Sequence, residues 1–247
     1  MESMEIPGFR KPVSISVGNI TKLMYVSRGS GKPVIVMHEL PGMTPSFIRY
    51  CSELSLQGFR VYMPLLFKSP NTEMNSPQIA VFCISREFRD LFTVGARNRD
   101  RVIVQLLDKL IRHASEANPD QPIGVIGMCL TGGFSVAGIV NENVNAAVCC
   151  QPSYPFIFNI DSIGLSSQRR EEVAQKVKAK IAPCVKSYRY RDDTTSKPKH
   201  VKAIADLLGS HFTSFPDLDG DGHSTVTGDQ PDDRVKQDII EFLKARL

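Results

Sequence analysis

Continuous apolar runs of strand length alternate along this chain with segments of helical period. Pro33-Val34-Ile35-Val36-Met37 shows no polar alternation, the pattern of a strand buried on both faces. Phe59-Arg60-Val61-Tyr62-Met63 repeats it, and between the two, residues 46–57 predict a helix capped by Ser46 and closed by Gly58. Val13–Val17 and Lys22–Val26 alternate as an antiparallel opening pair would. Residues 98–117 predict a helix with Val102, Val104, Leu106, Leu107, Leu110 and Ile111 as its apolar stripe. Strands follow at Ile123–Ile126, Ala146–Cys150 and Pro183–Tyr190, with a short last one at Phe212–Pro216. Helices are predicted at 132–140, Pro198–Leu208 and Asp233–Leu247, the last with Val235, Ile239, Ile240, Leu243 and Leu247 on one face. Residues 64–97 and 151–182 read as insertions, the first irregular and suited to a lid or pocket wall.

Strands alternating with helices after an antiparallel opening predict an α/β fold: a doubly wound, mostly parallel sheet with helices on both faces. No linker rich in Pro, Gly or Ser divides the chain, so a single domain over 1–247 is expected. In such sheets chemistry gathers at the carboxyl ends of the strands.

Composition narrows the function classes. Hydrophobic residues make up 42% and charged residues 23%, as in an ordinary soluble globule. The net charge of +4 is dispersed, which argues against nucleic-acid binding. Apolar runs are strand-sized, and Met1-Glu2-Ser3-Met4-Glu5-Ile6-Pro7 lacks the basic and apolar regions of an export signal, so no membrane association and a cytoplasmic location are expected. The six cysteines, at 51, 83, 129, 149, 150 and 184, include no CxxC pair and no partner-like spacing, which suggests neither a zinc site nor a disulfide framework. Cys149 and Cys150 read as packed strand residues. Asp217-x-Asp219-x-Asp221-Gly222 imitates the start of a calcium loop, but its twelfth position is Gly228 instead of Glu. No cofactor and no metal are implied, and His38, His113, His200 and His211 show no ligand spacing.

The residues after the strands carry the candidate chemistry. Gly127-Met128-Cys129-Leu130-Thr131-Gly132-Gly133 ends a strand on a thiol flanked by glycines and enters a helix, the pattern of a nucleophile elbow. Gly127 and Gly132 leave room for the backbone to pass, and an exposed thiol is expected at the turn. Glu39 follows the first parallel strand, Asp192 and Asp193 follow the strand ending at Tyr190, and His223 follows the last short strand. Cys129, an acid and His223 then stand in the order of the α/β-hydrolases, with Cys129 as nucleophile, His223 as general base and Asp193, preferred over Asp192 by position, as the orienting acid. The N–H groups of Leu130 and Leu40 are placed to bind a developing oxyanion.

With these residues in place the chain resembles the dienelactone hydrolase family over roughly residues 10–246. Cys129 matches the family's Gly-x-Cys-x-Gly-Gly elbow, and Gly222-His223-Ser224 its histidine loop. The resemblance implies that Glu39 interacts with the thiol and helps it lose its proton. Thr131 stands where the tight elbow glycine is expected, which would allow the turn to shift by one residue. Ser224-Thr225-Val226-Thr227 lacks the arginine that holds the substrate carboxylate in the lactone hydrolase proper. Arg86 is the remaining candidate for that substrate-binding role. The expected activity is hydrolysis of a small ester or lactone by a monomer or homodimer. The alternatives are a thioesterase or acyl transferase with the same triad, or a non-catalytic binding protein of the same fold.

Overall fold

A computed structural model describes residues 4–92, 100–153 and 163–247. Its strands are β1 (Val13–Val17), β2 (Ile20–Val26), β3 (Lys32–Met37), β4 (Phe59–Leu65), β5 (Ile123–Met128), β6 (Val144–Cys150), β7 (Val185–Tyr188) and β8 (Phe212–Ser214). They form one eight-stranded sheet in the order β1-β2-β4-β3-β5-β6-β7-β8. β1 pairs antiparallel with β2, and β2 with β4. From β4 to β8 every pairing is parallel. This is an α/β-hydrolase sheet, mostly parallel and covered by helices on both faces.

The helices are α1 (Pro45–Leu56), α2 (Ser76–Cys83), α3 (Arg86–Phe92), α4 (Val102–Ala117), α5 (Gly132–Ser135), α6 (Ser167–Lys176), α7 (Pro198–Leu208) and α8 (Asp233–Arg246). The strand period of two splits the core. Ile35, Met37, Ile123 and Val125 face a cluster containing Leu106, Leu107 and Leu110 of α4, Phe134 of α5 and Ile204 of α7. Val34, Val36, Ile126 and Met128 face the other way, onto Phe47 and Leu54 of α1 and Ile239 and Leu243 of α8. A strand with apolar residues on both faces must be covered twice, which is why these runs show no alternation.

Several expectations are corrected. Of the insertion expected to be irregular over 64–97, the described residues 64–92 are not, since α2 and α3 lie there; Asn75 caps α2 through a reciprocal bond pair with Gln78, and Pro77 sits in its first turn. Thr44, not Ser46, caps α1, its hydroxyl accepting from Phe47 N at 3.2 Å. α4 begins at Val102, and Ile103 joins the buried stripe while Val102 stays half-buried. The helix expected over 132–140 is α5 followed by a 3-10 turn at Val136–Val140. Part of the expected 98–117 helix and part of each insertion lie outside the described residues. No helix among the described residues is long and apolar enough to cross a membrane.

Candidate active site

β5 ends at Met128 and the chain turns at Cys129, whose φ of 51° lies in the left-handed region that non-glycine residues rarely enter. Two glycines make room for the turn. A Cβ on Gly127 would stand 2.2 Å from Thr131 O, and one on Gly132 would stand 2.9 Å from Pro152 Cα. The turn is not shifted by one residue. Thr131 has ordinary right-handed geometry (φ −85°, ψ −10°) and so has no need of glycine's freedom. Its hydroxyl ties the elbow together, accepting from Met128 N at 2.8 Å and donating toward Met37 O at 3.0 Å, with Met128 O at 2.9 Å also within reach. The ends of β3 and β5 are thereby joined directly behind the thiol.

Cys129 is not exposed, as the elbow pattern predicted, but only 8% accessible. The loop after β6 covers it: Ser153 Oγ lies 3.0 Å from Cys129 Sγ, and Ser153 N donates to Cys129 O at 3.0 Å. Glu39, Cys129 and His223 come together from the loops after β3, β5 and β8, with their reactive atoms all within 4.8 Å of one another. His223 Nδ1 lies 2.7 Å from Asp193 Oδ2, and Asp193 Oδ1 accepts from Thr195 N at 2.7 Å and Ser196 N at 2.9 Å. Asp192 is exposed.

The electrostatics follow from these contacts. Burial opposes a charge on His223, but the bond to Asp193, then the neighbouring Cys129 and the carboxylate of Glu39, outweigh it and hold the imidazole up at about 11. Burial likewise works against the Asp193 carboxylate, yet the His223 bond and two backbone N–H donors pull its pKa below the usual carboxylate value. The contacts favour the imidazolium form of His223 and the carboxylate form of Asp193. His223 Nε2 is buried and has no hydrogen-bond partner among the described residues, which leaves it free to act on the space beside the thiol.

Sequence reasoning missed the frame around Glu39. Gln151 Nε2 donates to Glu39 Oε2 at 3.0 Å, Thr227 Oγ1 donates a short bond to Glu39 Oε1, and Thr225 Oγ1 donates to Gln151 Oε1 at 2.7 Å. Thr225 and Thr227 thus occupy the stretch where the lactone hydrolases proper carry their arginine. Gln151 and Ser153 follow β6, so inspecting the end of that strand with the others would have found both. Leu130 N opens the turn after Cys129, and half-buried Leu40 follows Glu39 in the loop after β3. Arg86 lies elsewhere: exposed on α3 and paired with Asp90 at 3.4 Å, it lines a shallow groove with Ile20, Lys22 and Leu91.

A family model of the dienelactone hydrolase family matches residues 20–208. The chain belongs to the dienelactone hydrolase family. The match takes in Glu39, Cys129 and Asp193 but stops before His223, which only the fold brings into the group. Among solved structures the chain is similar to a dienelactone hydrolase from Anabaena variabilis (15% identity, 97% of this chain and 99% of that one, TM-score 0.59). It is also similar to an esterase from Pyrococcus furiosus (15%, 96% and 92%, TM-score 0.62) and to Est1E from Butyrivibrio proteoclasticus (12%, 96% and 98%, TM-score 0.64). At these identities the likeness speaks for the shared fold. No curated protein matches the chain in sequence. As a dienelactone hydrolase family member the protein is a hydrolase.

Proposed function

We propose that this hydrolase cleaves a small ester or lactone with Cys129 as nucleophile, His223 as proton carrier, Asp193 as orienting acid and Glu39 as acceptor of the thiol proton. The observation that carries the reading is the meeting of Cys129, His223 and Glu39 within 4.8 Å at an elbow of positive φ. The carboxylates of Asp193 and Glu39 favour the imidazolium form of His223, and where its Nε2 already carries a proton the framed carboxylate of Glu39 is the other acceptor at hand. Cys129 Sγ then attacks the carbonyl carbon, and the N–H groups of Leu130 and Leu40 receive the oxyanion. His223 Nε2–H protonates the departing alkoxide as the C–O bond breaks, leaving a thioester on Cys129. Water, deprotonated by the now neutral His223, attacks the thioester; as the C–S bond breaks Cys129 takes back the proton held on Glu39, and the acid product leaves with thiol and Glu39 carboxylate restored.

The half-buried to buried setting of the site favours a small substrate, and exposed Arg86 supplies no carboxylate clamp in this reading. The test is a panel of p-nitrophenyl esters, thioesters and lactones with mass spectrometry of the trapped enzyme. An acyl adduct on the Cys129 peptide that turns over in water supports the proposal. Transfer of the acyl group to an added amine or alcohol in preference to water makes the protein an acyl transferase. Neither adduct nor turnover across the panel leaves a binding protein of the same fold.

A further inference from the structure

Glu39, Cys129 and His223 are also a complete three-point donor set for a borderline-soft divalent cation, one carboxylate oxygen, one sulfur and one imidazole nitrogen. Two further features are those of metal sites. His223 offers Nε2, buried and without a hydrogen-bond partner, while its other nitrogen is bonded to a carboxylate, the carboxylate–histidine arrangement that fixes a metal-binding imidazole. The carboxylate of Glu39 is itself held in place by Gln151 and Thr227. The three donor atoms lie within 4.8 Å of one another, against the roughly 3.5 Å that ligands at 2.0–2.3 Å from a tetrahedral zinc would show, so a closure of no more than about 1 Å brings them into its geometry. Motion of that size is within the reach of three loop residues. The donors come from the loops after three different strands, so a bound cation would also tie those loops together.

We propose that Zn²⁺ binds Glu39, Cys129 and His223 with a fourth, open position, and that it does so in competition with substrate. The Cys129 S–H and His223 Nε2–H bonds break, both protons pass to solvent, and S–Zn and N–Zn bonds form beside the Glu39 carboxylate, with no change of oxidation state. Binding removes the nucleophile and the proton carrier together, so zinc is a reversible inhibitor. Only this inhibitory consequence rests on the hydrolase reading, because metal binding itself needs no turnover.

The test uses the full chain, freed of metal with a chelator, and Co²⁺ as the spectroscopic probe. One equivalent of Co²⁺ should raise a thiolate-to-cobalt charge-transfer band with tetrahedral visible bands, and one equivalent of Zn²⁺ should abolish both. Asp193→Asn should weaken Co²⁺ binding about 10- to 100-fold by freeing the imidazole, and Cys129→Ala should eliminate the charge-transfer band. A measurement on unaltered protein guards against misfolded variants: Zn²⁺ should slow iodoacetamide alkylation of the Cys129 peptide at least tenfold, and chelator should restore it. No cobalt band in the wild type, a band that survives Cys129→Ala, or alkylation of Cys129 unchanged by Zn²⁺ overturns the inference. Cobalt bands without any ester turnover would remove the hydrolase mechanism and leave the metal site standing; turnover without the bands would do the reverse.

Discussion

Asp192 and Asp193 carry the same carboxylate, and the backbone alone decides which one meets His223. Asp193 is buried, accepts from two backbone N–H groups and lies 2.7 Å from His223 Nδ1, whereas Asp192 faces solvent. Asp193→Asn should therefore lower kcat by about 10⁴, the loss seen when a triad loses its orienting acid, and Asp192→Asn should leave it within a few-fold of wild type. Parallel kcat measurements on the two variants check this. A second residue-scale prediction concerns His38, of which the sequence showed only that it lacks ligand spacing. It lies between Phe47 and Phe67, with Nδ1 bonded to Glu39 O at 3.0 Å and Nε2 accepting from Leu66 N at 3.0 Å. Burial, partly offset by the Glu39 carbonyl, drives its pKa down from 6.5 to about 4. In that interval the unfolded chain binds the proton and the folded one does not, so stability falls as pH drops from about 6.5 toward 4. The loss should reach about 3 kcal/mol, at 1.36 kcal/mol per unit. Urea unfolding across that range should show the acid limb, and His38→Gln should flatten it.

At the level of elements, what could be read in the sequence and what could not have separate physical causes. The parallel strands were legible because burial on both faces removes their alternation, and the Cys129 elbow because its glycines are sterically required. α2 and α3 were not, since they have only eight and seven residues and rest on tertiary packing of Phe82, Phe88 and Phe92. Their one local signal was the cap at Asn75-Ser76-Pro77-Gln78. The Glu39 frame was hidden for another reason: Gln151, Thr225 and Thr227 are ordinary polar residues whose meaning arises only when three strand ends converge. The elbow itself can be tested as an element. Thr131→Val keeps the shape of the side chain but leaves buried Met128 N and Met37 O without a partner, which should cost about 1–3 kcal/mol. Gly127→Ala should be worse, because its Cβ would meet the backbone carbonyl of Thr131 and nothing there can rotate away. Comparing the two urea midpoints decides the point; equal stabilities would mean that the turn relaxes around the added methyl.

For the molecule as a whole, two buried arginines perform different tasks, and this separates holding the fold from holding the site. Arg169 on α6 bonds Asp100 at 2.6 Å and Asp108 at 2.6 Å, fastening the second insertion to α4 and the residues just before it. Arg189, just past β7, donates to Ser196 O at 3.0 Å and Arg191 O at 2.8 Å and forms a short ion pair with Asp217. It therefore spans the loop that carries Asp193 and grips the one that leads to His223. Backbone bonds from Arg191 N to Leu218 O at 2.8 Å and from Leu218 N to Arg189 O at 3.0 Å run alongside it. Arg169→Met leaves two partly buried carboxylates without a countercharge and should cost roughly 3 kcal/mol, the low end for broken buried pairs because they retain some water, whereas Arg189→Met leaves the exposed Asp217 in water and should cost less. Activity should distinguish them. Arg169→Met, assayed well below its unfolding midpoint, should keep wild-type kcat, since none of its partners touches the Glu39–Cys129–His223 group. Arg189→Met should lose kcat about tenfold or more with KM little changed, because the Asp193–His223 geometry loosens while the substrate's own contacts persist. If both variants lost kcat in proportion to stability, Arg189 would be only another strut of the fold, and the alignment of acid and histidine would have to come from the backbone bonds alone.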